Sequence, residues 1–326
     1  MKIIVVMPVK NEEWILENSL KAASLFADHI IVADQNSTDK TPEICKRFDK
    51  VIVIQNPNKF HTSNVRLQLL NAAREFTGHN AIFSFDADEI PTSHILTNDF
   101  KEKLMNLPKG SSISFQWINL WRSSLKYRDD NSVWANSWKH FGFIDDRKTN
   151  YTTLNVISDH TSRVPLATLE KNNKFDFPKV LHFQFVDWER MLAKQRYYRV
   201  AELVQRGKGF LTSIKINFKY YPTKDEGKIF LKDLPGEWIK VWLEKSIKVN
   251  EIKKDYFYWQ EAESKKFFKQ YGTEYFKWLD IWDKDWGKEI KDPRPFYIKF
   301  YHKHLQPLLG YNGFFYKIYR FLNKYA

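Results

Sequence analysis

The feature that most constrains this chain is an alternation of two kinds of segment over its first hundred residues. Residues 3–9, 30–33, 51–55 and 81–85 are short apolar runs rich in Val, Ile or aromatic residues, without polar alternation. Runs of that kind suit strands covered on both faces. Between them lie segments with helical spacing. Residues 13–27 carry Trp14, Leu16, Leu20, Ala23 and Leu25, and residues 41–48 place Pro42 in a first turn. Residues 63–76 carry Val65, Leu69, Ala72, Ala73 and Phe76. The order strand, helix, strand, helix, strand, helix, strand predicts an α/β fold: a doubly wound, mostly parallel sheet with right-handed crossovers and flanking helices.

The rest of the chain changes character. Residues 110–185 hold β-rich pieces, 111–120 and 179–185, between polar loops. A helix follows over 188–204, with Asp187 as N-cap and Gly207 as its stop. Beyond Gly207 the chain reads as helical and aromatic. Trp238, Val241, Trp242 and Lys245, then Tyr275, Trp278, Leu279 and Trp282, fall at i, i+3, i+4, i+7. The expected division is an α/β domain over 1–210 and a helical, basic, aromatic region over 211–326.

An aromatic content of 17% in 326 residues excludes a disordered chain. The one cysteine, Cys45, cannot form an internal disulfide, which fits a reducing cytoplasm. The apolar run 3–7 reads as a strand rather than a signal core, because Lys10-Asn11-Glu12-Glu13 stands where small cleavage-site residues would be needed. No run approaches the ~20 apolar residues of a spanning helix. The net charge of +13 resides after residue 100, where it suits an anionic partner. In the last segment Phe314, Ile318, Phe321 and Tyr325 share one helical face, while Lys317, Arg320 and Lys324 share another. That pattern suits either an anionic membrane surface or a helix docked on the body of the protein.

Ile82-Phe83-Ser84-Phe85-Asp86-Ala87-Asp88-Glu89 ends a hydrophobic strand in three acids, at the sheet edge where open α/β sheets bind ligands. Clustered carboxylates repel one another unless a cation sits among them. Oxygen ligands of this kind suit Mg²⁺ or Mn²⁺, which would in turn hold a diphosphate. Two further polar loops leave the same edge: Pro8-Val9-Lys10-Asn11-Glu12-Glu13 after the first strand, and Asp34-Gln35-Asn36-Ser37-Thr38-Asp39-Lys40-Thr41 after the second.

In order, spacing and strand context these three loops resemble the family-2 glycosyltransferases with their GT-A nucleotide-sugar domain. That family's patterns are Pro-x-x-Asn-Glu, Asp-Asp-Gly-Ser-Thr-Asp-x-Thr and a strand closing in Asp-x-Asp. The resemblance is strong over the first third of the chain and fades after Pro91. It implies a nucleotide-sugar donor, foremost a UDP-sugar, and an acceptor that is a glycan or lipid-linked glycan of a bacterial surface polymer such as lipopolysaccharide. It implies that Pro8, Asn11 and Glu12 shape the nucleotide pocket, that Asp34 reads the base, and that Arg66 flanks the pocket. Asp86, Ala87 and Asp88 would form the donor motif, with Asp86 near ribose and metal and Asp88 on the metal. Two departures stand out: Gln35 replaces the second acid, and Asn36 replaces a glycine, although Asn tolerates a left-handed turn.

Family members usually invert the anomeric centre in one displacement, for which a carboxylate takes the acceptor proton. The downstream candidates are Asp145, Asp146 and Asp159, with Asp159 ranked ahead of Asp146. Each also reads as a surface or salt-bridge acid. His182 alternates with Leu181 and Phe183 on a strand and suits either a late metal ligand or a hydrogen-bonded structural histidine. Arg190 and Lys194, one helical turn apart, could meet the leaving diphosphate or simply form an exposed basic face. A nucleic-acid-binding protein would not explain acidic loops at successive strand ends, so no nucleic-acid partner is expected. A nucleotidyltransferase would open with a Gly-rich loop, which residues 8–12 lack. An inactive sugar-nucleotide-binding homologue remains the other alternative.

Overall fold

The structure is a computed structural model that describes residues 1–58, 64–130, 132, 134, 135, 137–151, 162–220, 229–252 and 258–309. The chain divides into two compact units, Met1–Asp187 with Phe230–Asp255, and Trp188–Ile229 with Tyr256–Ala326.

The first unit is an α/β sheet. Its opening strands and helices are β1 (Lys2–Val9), α1 (Leu16–Ser24), β2 (His29–Asp34), α2 (Thr41–Cys45), β3 (Val51–Gln55), α3 (Asn64–Arg74) and β4 (Asn80–Ser84). β1 pairs in parallel with β2 and β4, and β2 pairs in parallel with β3. The period-two split of these strands explains the layering. Val5, Met7, Ile30, Val32 and Phe83 join Leu16, Leu20 and Ile44 in one core. Ile4, Val6, Ile31, Ala33 and Ile82 meet Val65, Leu69 and Ala73 of α3 in another. Both faces of β1, β2 and β4 are thus covered, as unalternating runs require. β3 departs from that expectation: it closes the sheet at one edge, and Ile52 and Val53 are exposed.

After β4 come β5 (Glu89–Pro91), α4 (Asn98–Met105), β6 (Ser112–Trp121), β7 (Lys126–Arg128), β8 (Ser137–Ile144), β9 (Asn172–Lys174) and β10 (Val180–Phe185). β8 runs antiparallel to β4, and β6 antiparallel to β8. β10 then joins both β6 and β5, folding back over the segment that carries the acids. Gly142 lies where β8 crosses β4; a Cβ there would stand 2.6 Å from the Phe83 ring. Later chain returns to this unit. β11 (Leu231–Asp233) pairs with β7, and Trp238 and Trp242, from the helix over Gly236–Glu244, enter the sheet's core.

The second unit is helical. α5 (Trp188–Arg206) ends at Gly207, whose φ is 86°, and α6 (Phe210–Tyr220) follows. With the Gly236–Glu244 helix as α7, the remaining helices are α8 (Trp259–Tyr271) and α9 (Phe296–Phe300). Around Tyr275 to Trp282, where helical spacing predicts a helix, there is only a short 3₁₀ turn over Thr273–Phe276. Side chains take over the backbone groups there: Asn217 Oδ1 accepts from the N–H of Asp280, and Trp282 Nε1 donates to the carbonyl of Phe276. Among the described residues no helix is long and apolar enough to cross a membrane.

Candidate active site

Parallel pairing brings the carboxyl ends of β1, β2 and β4 to one edge, and their loops are stitched together there. Asn11 sits at φ 53°, its N–H donating to Ser37 Oγ at 2.8 Å and its Oδ1 accepting from the N–H of Thr38 at 2.6 Å. The N–H of Glu12 donates to Thr41 Oγ1, and Glu12 Oε2 accepts from Trp14 Nε1. Pro8 lies beside Ala33 in the register of β1 and β2. Asp34 is buried, and its carboxylate accepts from the N–H of Ser37 at 3.2 Å. Asn36 takes φ 51°, the left-handed conformation for which it stands in place of glycine. The other departure has a structural cause as well. Gln35 Nε2 donates to the carbonyl of Asn58 at 2.6 Å, a bond that an ionised acid could not make.

The acids after β4 are held by guanidinium groups. Asp86 Oδ1 lies 3.1 Å from Arg66 NH2, and Asp86 Oδ2 lies 2.8 Å from Arg163 NH2. Arg66, buried on α3, also donates to Ser84 Oγ. Glu89 is 2% exposed and is met from three sides. Arg163 forks onto both its oxygens, Trp117 Nε1 donates to Oε1 at 2.8 Å, and the N–H of Asp86 donates to Oε2 at 2.8 Å. Burial pushes the Glu89 carboxyl up, and Arg163 opposes that push. Burial disfavours charge on Arg163 too, but Asp86 and Glu89 outweigh it and hold the guanidinium charged. Ala87, buried, accepts on its carbonyl from Ser19 Oγ, which pins the middle of the motif to α1. Two of the three clustered acids are therefore balanced by cations from within the chain.

Asp88 points elsewhere. It is buried, its carbonyl accepts from the N–H of Phe183, and its Oδ2 lies 3.6 Å from His182 Nε2. The imidazole's orientation follows from its neighbours. Asn119 Nδ2 donates to the carbonyl of Trp134, so Asn119 Oδ1 faces His182 Nδ1 at 2.7 Å and that nitrogen must carry a proton. The Trp117 ring stacks on the imidazole at 4.2 Å. In the neutral imidazole, Nε2 then presents its lone pair to Asp88, and such a pair of acceptors, backed by an amide, fits a divalent cation. Among the described residues no three His, Cys, Asp or Glu side chains are grouped to hold a metal ion.

The downstream acids divide. Asp145 and Asp146 follow β8, whose antiparallel course returns them to the amino end of β4, the edge opposite Asp86. Asp145 is buried against Arg74, with contacts of 2.7 Å to NH2 and 3.1 Å to Nε. Asp146 Oδ1 accepts from the N–H groups of Lys148 and Thr149 and closes a turn. The geometry does not bring either acid to the acidic segment after β4. Asp159 lies outside the described residues. Arg190 and Lys194 lie on α5 of the helical unit, and Arg190 is buried, which removes the reading of an exposed basic face for it. Trp117, Asn119 and Arg163 escape residue-by-residue sequence reading. Glu89 is visible as the third acid of its motif, but nothing local marks the other three.

Residues 4–163 match the model of glycosyl transferase family 2. No curated protein matches the chain. Among solved structures, S. aureus TarS is 13% identical with a TM-score of 0.42, the match covering 69% of this chain and 50% of that one. The chain therefore spans about half the length of that protein. S. aureus TarS 1-349 in complex with UDP-GlcNAc is 13% identical with a TM-score of 0.38, over 68% of this chain and 72% of that one. A 4-diphosphocytidyl-2C-methyl-D-erythritol synthase is 14% identical with a TM-score of 0.28, over 44% of this chain and 73% of that one. Structural likeness at these levels adds nothing to the family match. With loops, acids and sheet edge in the order found here, residues 4–163 form a glycosyltransferase domain of family 2 and the GT-A class.

Proposed function

We propose that this glycosyltransferase moves a sugar from a nucleotide diphosphate donor, a UDP-sugar, to a saccharide or lipid-linked saccharide acceptor of a surface glycan, with inversion. The observation that carries the donor half is the stitched edge. Asn11, Glu12, Asp34 and Asp86 lie there at or just beyond the carboxyl ends of parallel strands, with Arg66 against Asp86. Asp34 and the loop over residues 35–38 take the base, and Asp86 faces the ribose. Asp88 and His182 are the residues that would hold Mn²⁺ or Mg²⁺. When bound, that ion supplies charge stabilisation for the departing nucleotide. Trp117 and Asn119 keep the His182 ring in the orientation this needs. Asp159 is the retained base for the acceptor hydroxyl. Cytoplasmic placement at an anionic membrane surface is part of the proposal, supported by the exposed Phe296, Tyr297 and Phe300 beside Lys299 and Lys303.

The test is a thermal-shift panel of UDP-, GDP-, dTDP- and CMP-sugars with and without Mn²⁺, followed by donor hydrolysis. We expect a Mn²⁺-dependent shift with UDP-sugars, lost in Asp88→Ala. No shift with any nucleotide would refute the donor site.

A further inference from the structure

Arg163 occupies a place that the proposed chemistry does not account for. It is remote in sequence from the acidic motif, yet it contacts two of the motif's three carboxylates and packs over the Phe141 ring, 5.1 Å from its centroid. Its side chain is 16% exposed, so the group is built into the site and does not lie on its rim. A surface arginine could be lost with little effect, but one forked onto a buried carboxylate fixes that carboxylate's geometry. Arg163 bridges Asp86 to Glu89, and Glu89 in turn receives Trp117, the ring that stacks on His182. One guanidinium thereby ties the Asp86 side of the motif to the Asp88–His182 side.

We propose that Arg163 is a positioning residue that serves as the resident counter-cation of the acidic motif, so that a divalent ion enters with the donor diphosphate and not before it. The inference rests on the donor-site reading above and adds an order of binding. Arg66 and Arg163 together offset two of the motif's three carboxylates, which leaves only a weak attraction for a divalent ion at Asp88. A diphosphate, arriving with its own negative charge, strengthens that attraction. Removing Arg163 shifts the local charge by one unit toward negative, and even at the dielectric of bulk water, near 80, a unit charge about 6 Å from a divalent ion changes its affinity by about tenfold.

The experiment is calorimetric titration of the full chain with Mn²⁺, with and without UDP, which reads binding and not turnover. For the wild-type protein we expect UDP to tighten Mn²⁺ binding at least about tenfold. Arg163→Gln should bind Mn²⁺ without UDP about tenfold more tightly than wild type and lose most of the UDP effect, while Arg163→Lys, which keeps the charge, should behave as wild type. Glu89→Gln keeps the size of the buried side chain and removes one negative charge, so it should weaken Mn²⁺ binding by a similar factor even if Arg163→Gln does not fold. Equal Mn²⁺ affinity without UDP in wild type and Arg163→Gln overturns the inference, as does an unchanged affinity in Glu89→Gln. Failure of the wild-type protein to bind Mn²⁺ even with UDP present overturns the donor-site reading itself.

Discussion

The N–H of Asp145 donates to the carbonyl of Asn80 at 2.9 Å, which ties this acid to the first residue of β4 while Asp86 follows the last. Five residues of extended strand separate those ends by roughly 17 Å, too far for one carboxylate to serve both. Asp145→Asn should therefore act on stability, by about 3 kcal/mol, because it strands the Arg74 guanidinium. Asp146→Asn should leave turnover within about twofold of wild type. Asp159→Asn, by contrast, should cost on the order of 100-fold to 10,000-fold in kcat with donor affinity unchanged. Full activity in the Asp159 variant would remove it as the base.

Gln35 holds the loop after β3 by donating to Asn58. Gln35→Glu restores the acid usual in the family but removes that donor and faces a carboxylate toward a carbonyl. It should weaken UDP binding and lower thermal stability by about 1 kcal/mol. Fluorescence titration with UDP and a melting curve check both; tighter UDP binding would mean that the pocket prefers the acid.

Gly142 offers no room for a side chain beside Phe83 and the Ile82 carbonyl. Gly142→Ala should destabilise the sheet unit by about 1 to 3 kcal/mol, since ring and backbone must both give way. Urea unfolding measures this directly, and a loss below about 0.5 kcal/mol would show that β4 and β8 separate easily.

Burial, with Asp34 and Asp39 nearby, pushes the Cys45 thiol up to about 11. At pH 8 on the order of one molecule in a thousand then carries the thiolate, so the native protein should resist thiol reagents that label it at once in denaturant. The sign for stability follows. An unfolded thiol ionises near 8.5 and the folded one near 11, so stability falls as pH rises between them. Rapid labelling of folded protein at pH 8 would contradict the burial of Cys45.

Phe296 is 83% exposed on α9, and Lys299 and Lys303 follow it. Sedimentation with anionic vesicles should show binding that fades as salt rises, reduced by Phe296→Ser with Phe300→Ser. Indifference to anionic vesicles at low salt would withdraw the membrane surface as a partner.

The amino-acid sequence by itself determined the alternation that builds the sheet. Unalternating apolar runs favour cover on both faces, which β1, β2 and β4 receive and the edge strand β3 does not, and once β1, β2 and β4 are parallel their polar loops must share an edge. The place of the acidic segment after β4, the stitched loops and the left-handed Asn36 were legible for that reason. Which remote side chains reach that edge was not. Arg163 meets Asp86 from 77 positions away, and the pairing of β6 with β10 brings Asn119 to His182 from 63, contacts that no local pattern encodes. The same holds for the acids that the structure removed from the site. Asp145 and Asp146 read like catalytic candidates in sequence, but the antiparallel turn of β8 carries them to the far edge, because strand direction is fixed by which neighbours pair and not by the residues that follow the strand.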